Sequence, residues 1–305
     1  MFPFDAQRGK ITGDGQPITS PGMEAWESNI SHDGRYLVSS ANRDGKWELW
    51  EKSLPDGPEN PVIADDSHFR DESQWSPDGT RLAYVRSNSS ADEFQLMTWS
   101  RKDRVEEPVN APSRALEFVF SWSPDGEWLL TSQVNAETGH AEVWMVPVTR
   151  DATKAGPRKV VTAQLNSDLW QAHLSPDGRW IVFEANESHA EGYESAIYVT
   201  PVSGGPWIRI TDGKPWDDKP RWSPDGRTIY YLSEMKGYFN VWGRRFDPEQ
   251  GRPQGEPFAV TSFDNPKMMV GHSIPNVGFS LTQDRLVLTI TQVSGSIWVL
   301  DNVDR

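Results

Sequence analysis

The stretch Trp75-Ser76-Pro77-Asp78-Gly79 decides the fold, because it recurs along the chain at nearly constant spacing. Further copies occupy residues 122–126, 174–178 and 222–226; a variant with His in place of Pro occupies 30–34, and a decayed copy occupies 279–283. Successive copies are 45, 47, 52, 48 and 57 residues apart. Six units at this spacing are typical of the blades of a β-propeller.

Each copy is a turn between apolar runs that are the length of strands. Pro sets φ, Asp accepts backbone N–H bonds, and Gly adopts the conformation that other residues avoid. Two more short runs follow in each repeat, so four strands form each unit. The sequence therefore predicts an all-β fold, a six-bladed β-propeller of four-stranded antiparallel blades in one domain, 1–305. We predict blades near residues 23–66, 67–113, 114–164, 165–213, 214–263 and 264–305.

The N-terminal residues 1–22 are predicted to close the ring. Residues 15–20 resemble residues 255–262, which form the end of the fifth repeat, whereas the sixth repeat stops after its third run at 295–300. We therefore expect Ile18 to lie in a strand that completes the last blade beside residues 297–300, which covers an open sheet edge. Residues 4–9 also parallel residues 246–251. This match leaves two interpretations, a piece of a longer polypeptide or an extension packed outside.

The turn motif, repeated in register with a third run such as Ser-Gly-Ser-Ile-Trp-Val-Leu-Asp at 294–301, resembles the TolB-like, or WD40-like Pro-Asp, propeller repeat. The resemblance covers nearly the whole chain. Residues 295–305 also resemble the C-terminal ends of propeller regions in bacterial multidomain proteins, where a protein kinase or winged-helix regulator precedes the propeller. This implies a sensor or scaffold role, and a periplasmic one if a membrane segment lies between the domains.

Composition excludes several classes of function. The chain carries 30 Lys and Arg against 44 Asp and Glu, a formal charge of −14, which argues against a nucleic-acid surface. It has no Cys, and therefore no disulfide, thiolate nucleophile or Cys-based metal site. No apolar run approaches the roughly 18 residues of a membrane span, and residues 1–10 do not resemble a signal peptide. We expect a monomer, and the compartment stays open.

Candidate site residues come from comparing the repeats with one another. Four residues before the turn Ser stand Glu27, Glu72, Val119, Gln171, Lys219 and Asn276; two residues before it stand Asn29, Gln74, Ser121, His173, Arg221 and Gly278. Period two places both sets on one strand face, which would line the mouth of the central channel. Residues with a structural role in the blade are the same in each repeat, whereas these residues differ from blade to blade, as a ligand site requires. Nearby acids are Glu24, Asp71, Glu117, Asp168, Asp217 and Asp218, and nearby aromatics are Trp26, Phe118, Trp170 and Trp216.

These residues indicate two functions for the channel mouth. The alternative to both is an acidic, solvated opening that binds no ligand. In the first, the mouth binds a small molecule or peptide through Glu27, Asn29, Asp71, Gln171, Lys219 and Trp170. In the second, resemblance to other six-bladed propellers implies a metal-assisted hydrolase of esters, lactones or phosphotriesters. Glu27, Asp71 and Glu72 would then hold a divalent cation such as Ca²⁺, with His173 as base, Arg221 stabilising negative charge and Glu72 within the catalytic set. Glu27 and Glu72, from adjacent blades, should raise each other's pKa unless a cation separates them.

Overall fold

A computed structural model describes residues 1–19, 24–43, 46–63, 68–148, 156–164, 166–189, 192–265, 267–271 and 274–292. Within these residues the regular structure is almost entirely β, apart from a short 3₁₀ helix at Ile274–Asn276. Six four-stranded antiparallel sheets follow one another as the blades of a propeller, as the repeat predicts. None of the helical structure in these ranges is long and apolar enough to cross a bilayer.

The chain begins with strands β1 (Phe2–Asp5) and β2 (Lys10–Ile11) and continues through five consecutive blades. Blade 1 contains β3 (Glu24–Ile30), β4 (Tyr36–Arg43), β5 (Lys46–Ser53) and β6 (Glu59–Pro61). Blade 2 contains β7 (His68–Trp75), β8 (Arg81–Asn88), β9 (Phe94–Ser100) and β10 (Val105–Pro108). Blade 3 contains β11 (Phe118–Trp122), β12 (Trp128–Val134), β13 (Ala141–Pro147) and β14 (Arg158–Val161). In all three, each strand pairs with the next along the chain.

Blades 4 and 5 repeat this meander, and a short ladder follows them. Blade 4 contains β15 (Ser167–Leu174), β16 (Trp180–His189), β17 (Gly192–Pro201) and β18 (Ile208–Arg209). Blade 5 contains β19 (Asp217–Trp222), β20 (Thr228–Ser233), β21 (Asn240–Asp247) and β22 (Arg252–Ala259). The C-terminal part contains β23 (Met269–Val270), β24 (Phe279–Leu281), β25 (Arg285–Leu288) and β26 (Ile290–Thr291). Strands β23 and β26 pair as a separate two-stranded ladder.

The repeated turn is structural, as its recurrence predicts. In blade 2 the Ser76 hydroxyl donates to Asp78 Oδ1 at 2.6 Å and accepts the Arg81 N–H at 2.9 Å. The Gly79 N–H closes the turn on the Ser76 carbonyl, and Gly79 has a φ of 66°, which a residue with a Cβ resists. The same bonds recur in the other copies, which shows that Ser and Asp serve the turn rather than a reaction.

The sixth copy of the turn lies two residues later than the sequence comparison placed it. Thr282 Oγ1 donates to Asp284 Oδ1 at 2.9 Å, and the Thr282 N–H donates to the Arg285 carbonyl, as Ser76 does in blade 2. The blade-six equivalents of the two candidate positions are therefore Gly278 and Ser280, not Asn276 and Gly278. The shift was hidden because Thr replaces Ser and the Pro and Gly are lost.

Blade 6 is closed from the N-terminus, but by residues other than those expected. Its strand order is β2, β1, β25, β24, so β1 takes the third position and β2 the fourth. Phe2 pairs with Leu286, and both Phe2 and Phe4 are buried. Residues 15–19 form no strand, and residues 297–300 lie outside the described part. The prediction that N-terminal residues complete the last blade is therefore confirmed, but the segment is different: Ile18 lies in no strand, and among the described residues β1 and β2 join β24 and β25.

The parallel between residues 4–9 and 246–251 explains this closure. Asp5 Oδ1 accepts the Gln7 and Arg8 N–H groups, and the Gly9 N–H donates to the Asp5 carbonyl at 2.8 Å. Asp247 makes the same bonds with the turn that ends at Gly251. Both segments are thus the turn between the third and fourth strands of a blade. The N-terminal residues thus form the third and fourth strands of blade 6 rather than packing outside it.

Adjacent blades are joined by aromatic packing and by first-strand hydrogen bonds. The Trp122 and Trp222 Nε1–H groups donate to the Gln74 and His173 carbonyls of the preceding blades at 3.0 and 3.1 Å. Other bonds run from a blade to the next one. In these, the side chain two residues before the turn Ser or Thr donates to the main-chain carbonyl three residues before the turn Ser or Thr of the next blade. These pairs are Asn29 to Ser73 (2.7 Å), Ser121 to Ala172 (3.0 Å), Arg221 to Phe279 (3.1 Å) and Ser280 to Ser28 (3.3 Å). The inner strands are therefore tied into a ring.

Candidate functional site

The first strand of the blades carries a β-bulge beside the channel. In blade 1 Trp26 pairs with Ser40 and Asn29 pairs with Val38, so Glu27 and Ser28 stand opposite one residue. Comparable register shifts interrupt β7, β11, β15 and β19. A bulge re-aims side chains and reverses the simple alternation of a strand. The expectation that positions four and two before the turn share one face is therefore wrong.

Four bulge residues adopt a left-handed backbone without being Gly. The φ angles are 47° at Glu27, 57° at Glu72, 51° at Gln171 and 49° at Lys219. This conformation costs about 1–2 kcal/mol for an L-residue with a Cβ. Such strain is concentrated at functional sites, where the surrounding structure holds it. The four equivalent positions in blades 1, 2, 4 and 5 thus mark one place along the channel.

Asp residues that precede two of the bulges hold the local backbone. Asp71 Oδ1 accepts the Glu72 N–H at 2.9 Å and the Ser40 hydroxyl at 2.8 Å. Asp218 Oδ1 accepts the Lys219 N–H at 2.6 Å. Asp71 does not line the cavity at this mouth, so its placement supports a capping role. Glu117 and Asp168 each accept a hydrogen bond from the preceding blade, Glu117 from the Asn110 side chain and Asp168 from the Ala141 N–H. The Glu24 side chain lies outside the described part.

The bulges open into a cavity of about 590 Å³ at the mouth where the first strands begin. Its polar lining consists of Glu27, Glu72, Gln171, Glu184, Asn186, Asp218, Lys219 and Glu234. Its apolar lining consists of Phe118, Phe120, Trp170, Trp216, Phe239 and Ile274. Phe118 and Trp170 meet edge to face, with ring centroids 5.3 Å apart, and Trp216 Nε1–H donates to Asp218 Oδ2 at 3.2 Å. The acidic part of this lining is called the floor below, and the aromatic part the walls.

Two carboxyl groups from adjacent blades crowd on this floor. Burial raises the pKa of Glu72 well above its ordinary value, and the carboxylates of Glu27 and Asp71 raise it further. Burial also raises the pKa of Glu27, while the Lys219 ammonium lowers it, with Lys219 Nζ 3.6 Å from Glu27 Oε1. The expected rise is thus present at Glu72, where Glu27 contributes to it, whereas a hydrogen bond with Glu72 lowers the pKa of Glu27. Lys219 supplies the neighbouring cation. Both groups hold protons to higher pH than an exposed carboxyl does.

Glu184 forms a second acidic pair with Asp218 and was missed by the sequence analysis. Burial raises the Glu184 pKa well above its ordinary value, and the nearby Asp218 carboxylate adds to the effect. Glu184 lies on the second strand of blade 4, where the other blades place Ser40, Val85, Ser132 and Leu232. A charged residue inside the apolar run 181–185 was the signal that would have found it.

Asn29, His173 and Arg221 line a different cavity, of about 400 Å³, at the opposite end of the channel among the repeated turns. Burial and the nearby Arg221 and Lys219 charges hold the pKa of His173 well below its usual value, so its ring is neutral. Burial lowers the pKa of Arg221 to about 10, against the raising effect of Glu27 and Asp218. Arg221 Nη2 reaches Gln171 Oε1 at 3.3 Å, between the two ends. The structure therefore divides the expected set between two cavities.

The acids at the mouth do not form a ready cation site. Among the described residues, no group of three or more His, Asp or Glu side chains is arranged to hold a metal ion. The Lys219 ammonium occupies the position beside Glu27 that a divalent ion would take. Asp71, the third expected ligand, uses one oxygen for the Glu72 N–H and Ser40. The residues present therefore fit a metal poorly.

Comparison with known proteins places the repeat in context. A family model described as the PD40 TolB β-propeller domain matches residues 56–253. An uncharacterized protein of Agrobacterium fabrum is 30% identical over 111 residues, which are 36% of this chain and 34% of that protein. TolB from Acinetobacter baumannii superposes with a TM-score of 0.64 at 14% identity, covering 84% of this chain and 64% of that one.

Other solved structures share the architecture. A putative TolB from Agrobacterium tumefaciens has a TM-score of 0.62 and 19% identity, over 84% of this chain and 87% of that one. An oligogalacturonate lyase in complex with manganese has a TM-score of 0.56 and 17% identity, over 84% and 71%. At these identities the likeness concerns the fold. The chain spans about a third of the curated relative and under two thirds of the A. baumannii TolB.

Proposed function

The chain belongs to the TolB β-propeller (PD40) family, and on that premise we propose that it is a binding protein whose channel mouth holds a small ligand or a protein segment. The fold supports a binding or scaffold role in general, and the cavity at the mouth is where we propose that binding occurs. The kinase and winged-helix multidomain context, and a periplasmic location, stay proposals. Fold alone does not fix function, so the argument rests on the site.

One observation carries the proposal. The strained bulge residues Glu27, Glu72, Gln171 and Lys219 converge on a single cavity of about 590 Å³. Cavities of this size, with apolar walls and a few convergent polar groups, are typical of ligand sites. Strain repeated in four blades is costly, and the turn and core of a blade do not require it, since blade 3 has Val119 without it. Binding explains why the strain is retained.

The metal-assisted hydrolase receives less support from the geometry. The candidate base His173 lines the opposite cavity from Glu72, and the acidic residues fit a metal poorly. An ester and phosphotriester panel, with and without chelator, tests this alternative. Chelator-sensitive turnover that is lost in Glu72→Gln would support hydrolysis over binding alone.

The binding proposal is tested by screening the whole chain against charged and neutral small molecules and peptides by thermal shift. Each hit is then titrated against Trp170→Ala and Gln171→Ala, which alter the mouth, and against Gln74→Ala, which alters the opposite cavity. We expect the mouth variants to weaken binding and Gln74→Ala to leave it unchanged. Hits that keep their affinity in both mouth variants would place the working surface elsewhere.

A further inference from the structure

Acidic groups outnumber basic groups in the cavity at the mouth, and this excess favours some ligand charges over others. Among the residues that the structure describes, five carboxyl groups line the cavity, on Glu27, Glu72, Glu184, Asp218 and Glu234, against one ammonium, on Lys219. Lys219 and Glu184 are each 2% exposed, so these charges are shielded from bulk water. Their interactions are accordingly stronger than those of surface groups. A ligand that carries negative charge would keep these carboxyls protonated or meet repulsion from them once they ionise, whereas a cation would compensate their charge.

The walls favour a cation in a second, independent way. Phe118, Trp170 and Trp216 are partly exposed at the mouth, while Phe120 and Phe239 are buried behind it. Aromatic faces attract ammonium and guanidinium groups, and the attraction grows when water is excluded. Trp216 is also held in place by its bond to Asp218, which puts an indole ring beside a carboxylate. Aromatic rings beside acids suit an organic cation.

Resting on the proposed binding function, we propose that this mouth takes an organic cation, a protonated amine or guanidinium group carried on an apolar body. The body packs against the aromatic walls, and the positive group is received by the carboxyl groups of the Glu27–Glu72 and Glu184–Asp218 pairs. The cation is supplied either by a free amine or by a Lys or Arg side chain of a protein segment. Both sources present the same chemistry to the cavity.

Binding of the cation is coupled to proton release. Without a ligand, the carboxyls keep protons because burial, and then the neighbouring carboxylate of each pair, raises the pKa of Glu72 and of Glu184. A bound cation replaces those protons as the compensating charge, so affinity rises with pH until the pairs are already ionised. The charged or titratable groups near the Glu27–Glu72 and Glu184–Asp218 pairs are Asp71, Lys219, Arg221 and Glu234. His173 lies near Arg221 and Lys219.

Calorimetric titration with benzylammonium, and with benzyl alcohol and benzoate as its neutral and anionic counterparts, tests this inference. We expect benzylammonium to bind at least about tenfold more tightly than benzyl alcohol, which corresponds to ~1.4 kcal/mol. Repeating the titration in buffers of different ionisation enthalpy from pH 5.5 to 8 should show protons released on binding. A capped tripeptide with a central Lys, compared with its acetyl-lysine form, tests the side-chain source: stronger binding than benzylammonium favours a protein segment.

Matched variants make the test specific. Glu72→Gln and Glu184→Gln should each reduce benzylammonium affinity about tenfold and remove part of the proton release, whereas Glu137→Gln, on an exposed loop, should change neither. Equal affinity for benzyl alcohol, tighter binding of benzoate, or no proton release at any pH would overturn the cation inference. If such neutral or anionic ligands still lose affinity in Trp170→Ala, the proposed binding function stands without it. If no probe binds at all, the cation inference is wrong, and the wider screen decides the binding function separately.

Discussion

The hydroxyl of Tyr230, in the second strand of blade 5, donates to the carbonyl of Ala6 at 2.7 Å. The Tyr230 ring also meets Phe4 edge to face, with centroids 5.4 Å apart. Arg245 Nη1 adds a bond to the Gln7 carbonyl at 2.8 Å. The N-terminal strands are therefore fixed to blade 5 as well as paired within blade 6, and the ring is closed through both contacts.

Phe4→Ala should lower the free energy of unfolding by about 3–5 kcal/mol, because Phe4 is buried at this closure. Tyr230→Phe should cost about 1 kcal/mol through the lost hydrogen bond to Ala6. Phe69→Ala is the control, since Phe69 is 44% exposed. Denaturant unfolding measures all three. If Phe4→Ala costs no more than Phe69→Ala, the N-terminal strand does not hold the ring closed.

Gly126→Val should lower the free energy of unfolding by about 1–3 kcal/mol, because Gly126 has a φ of 71° that a β-branched residue resists. Glu127→Val, at the exposed next residue, should cost much less. Ligand affinity in the folded fraction should be unchanged by either substitution. Lost binding with full stability would show that this turn belongs to a site.

Asp217→Asn should stabilise the protein at neutral pH and have little effect near pH 4. Asp217 is fully buried, burial raises its pKa to about 6, and within the described residues neither carboxylate oxygen has a hydrogen bond of ordinary geometry. The unfolded carboxyl ionises near pH 3.9, so wild-type stability should fall by about 3 kcal/mol as pH rises from about 4 to about 6. Thermal unfolding across that range checks this. Asp212→Asn, at the exposed neighbour, is the control, and an equal benefit at every pH would contradict the assignment.

Lys219→Met should destabilise the protein more at pH 8 than at pH 5. Its ammonium lies 3.6 Å from Glu27 Oε1 and lowers the pKa of that buried carboxyl, so its loss leaves a charge uncompensated once Glu27 ionises. Removing one partner of a buried pair typically costs about 3–5 kcal/mol. The double variant with Glu27→Gln should recover most of the loss, as a double-mutant cycle would measure. Additive losses would mean that the two side chains do not interact.

The blade architecture was predictable because the turn motif repeats its own hydrogen bonds. Ser76, Asp78 and Gly79 each make a hydrogen bond that holds the turn, and the same three residue types recur in most copies. The closure was harder to predict. Residues 295–300 resemble a third strand as closely as Phe2–Asp5 does, and local patterns do not say which of two similar segments takes a position.

The site was predictable in composition but not in arrangement. Differences between repeats identified Glu27, Glu72, Gln171 and Lys219, all of which reach the mouth. The bulges place Asn29 and His173 at the other end of the channel. They could not be predicted from the alternation of residues along a strand, because an inserted residue is recognised only when the pairing with the neighbouring strand is known. Glu184 lies on a second strand, so a comparison of the first strands does not include it, although its position within an apolar run marks it as unusual.

The shared last blade also has a kinetic consequence. Blades 1 to 5 are built from hairpins between neighbouring strands, whereas blade 6 must pair Phe2 with Leu286 across nearly the whole chain. Contacts between distant residues form slowly, because loop closure must precede any gain from pairing. We therefore expect local hairpins to assemble first and the closure of the circle to limit the refolding rate. We expect the hydrogen bond between Tyr230 and Ala6 to form in that final step.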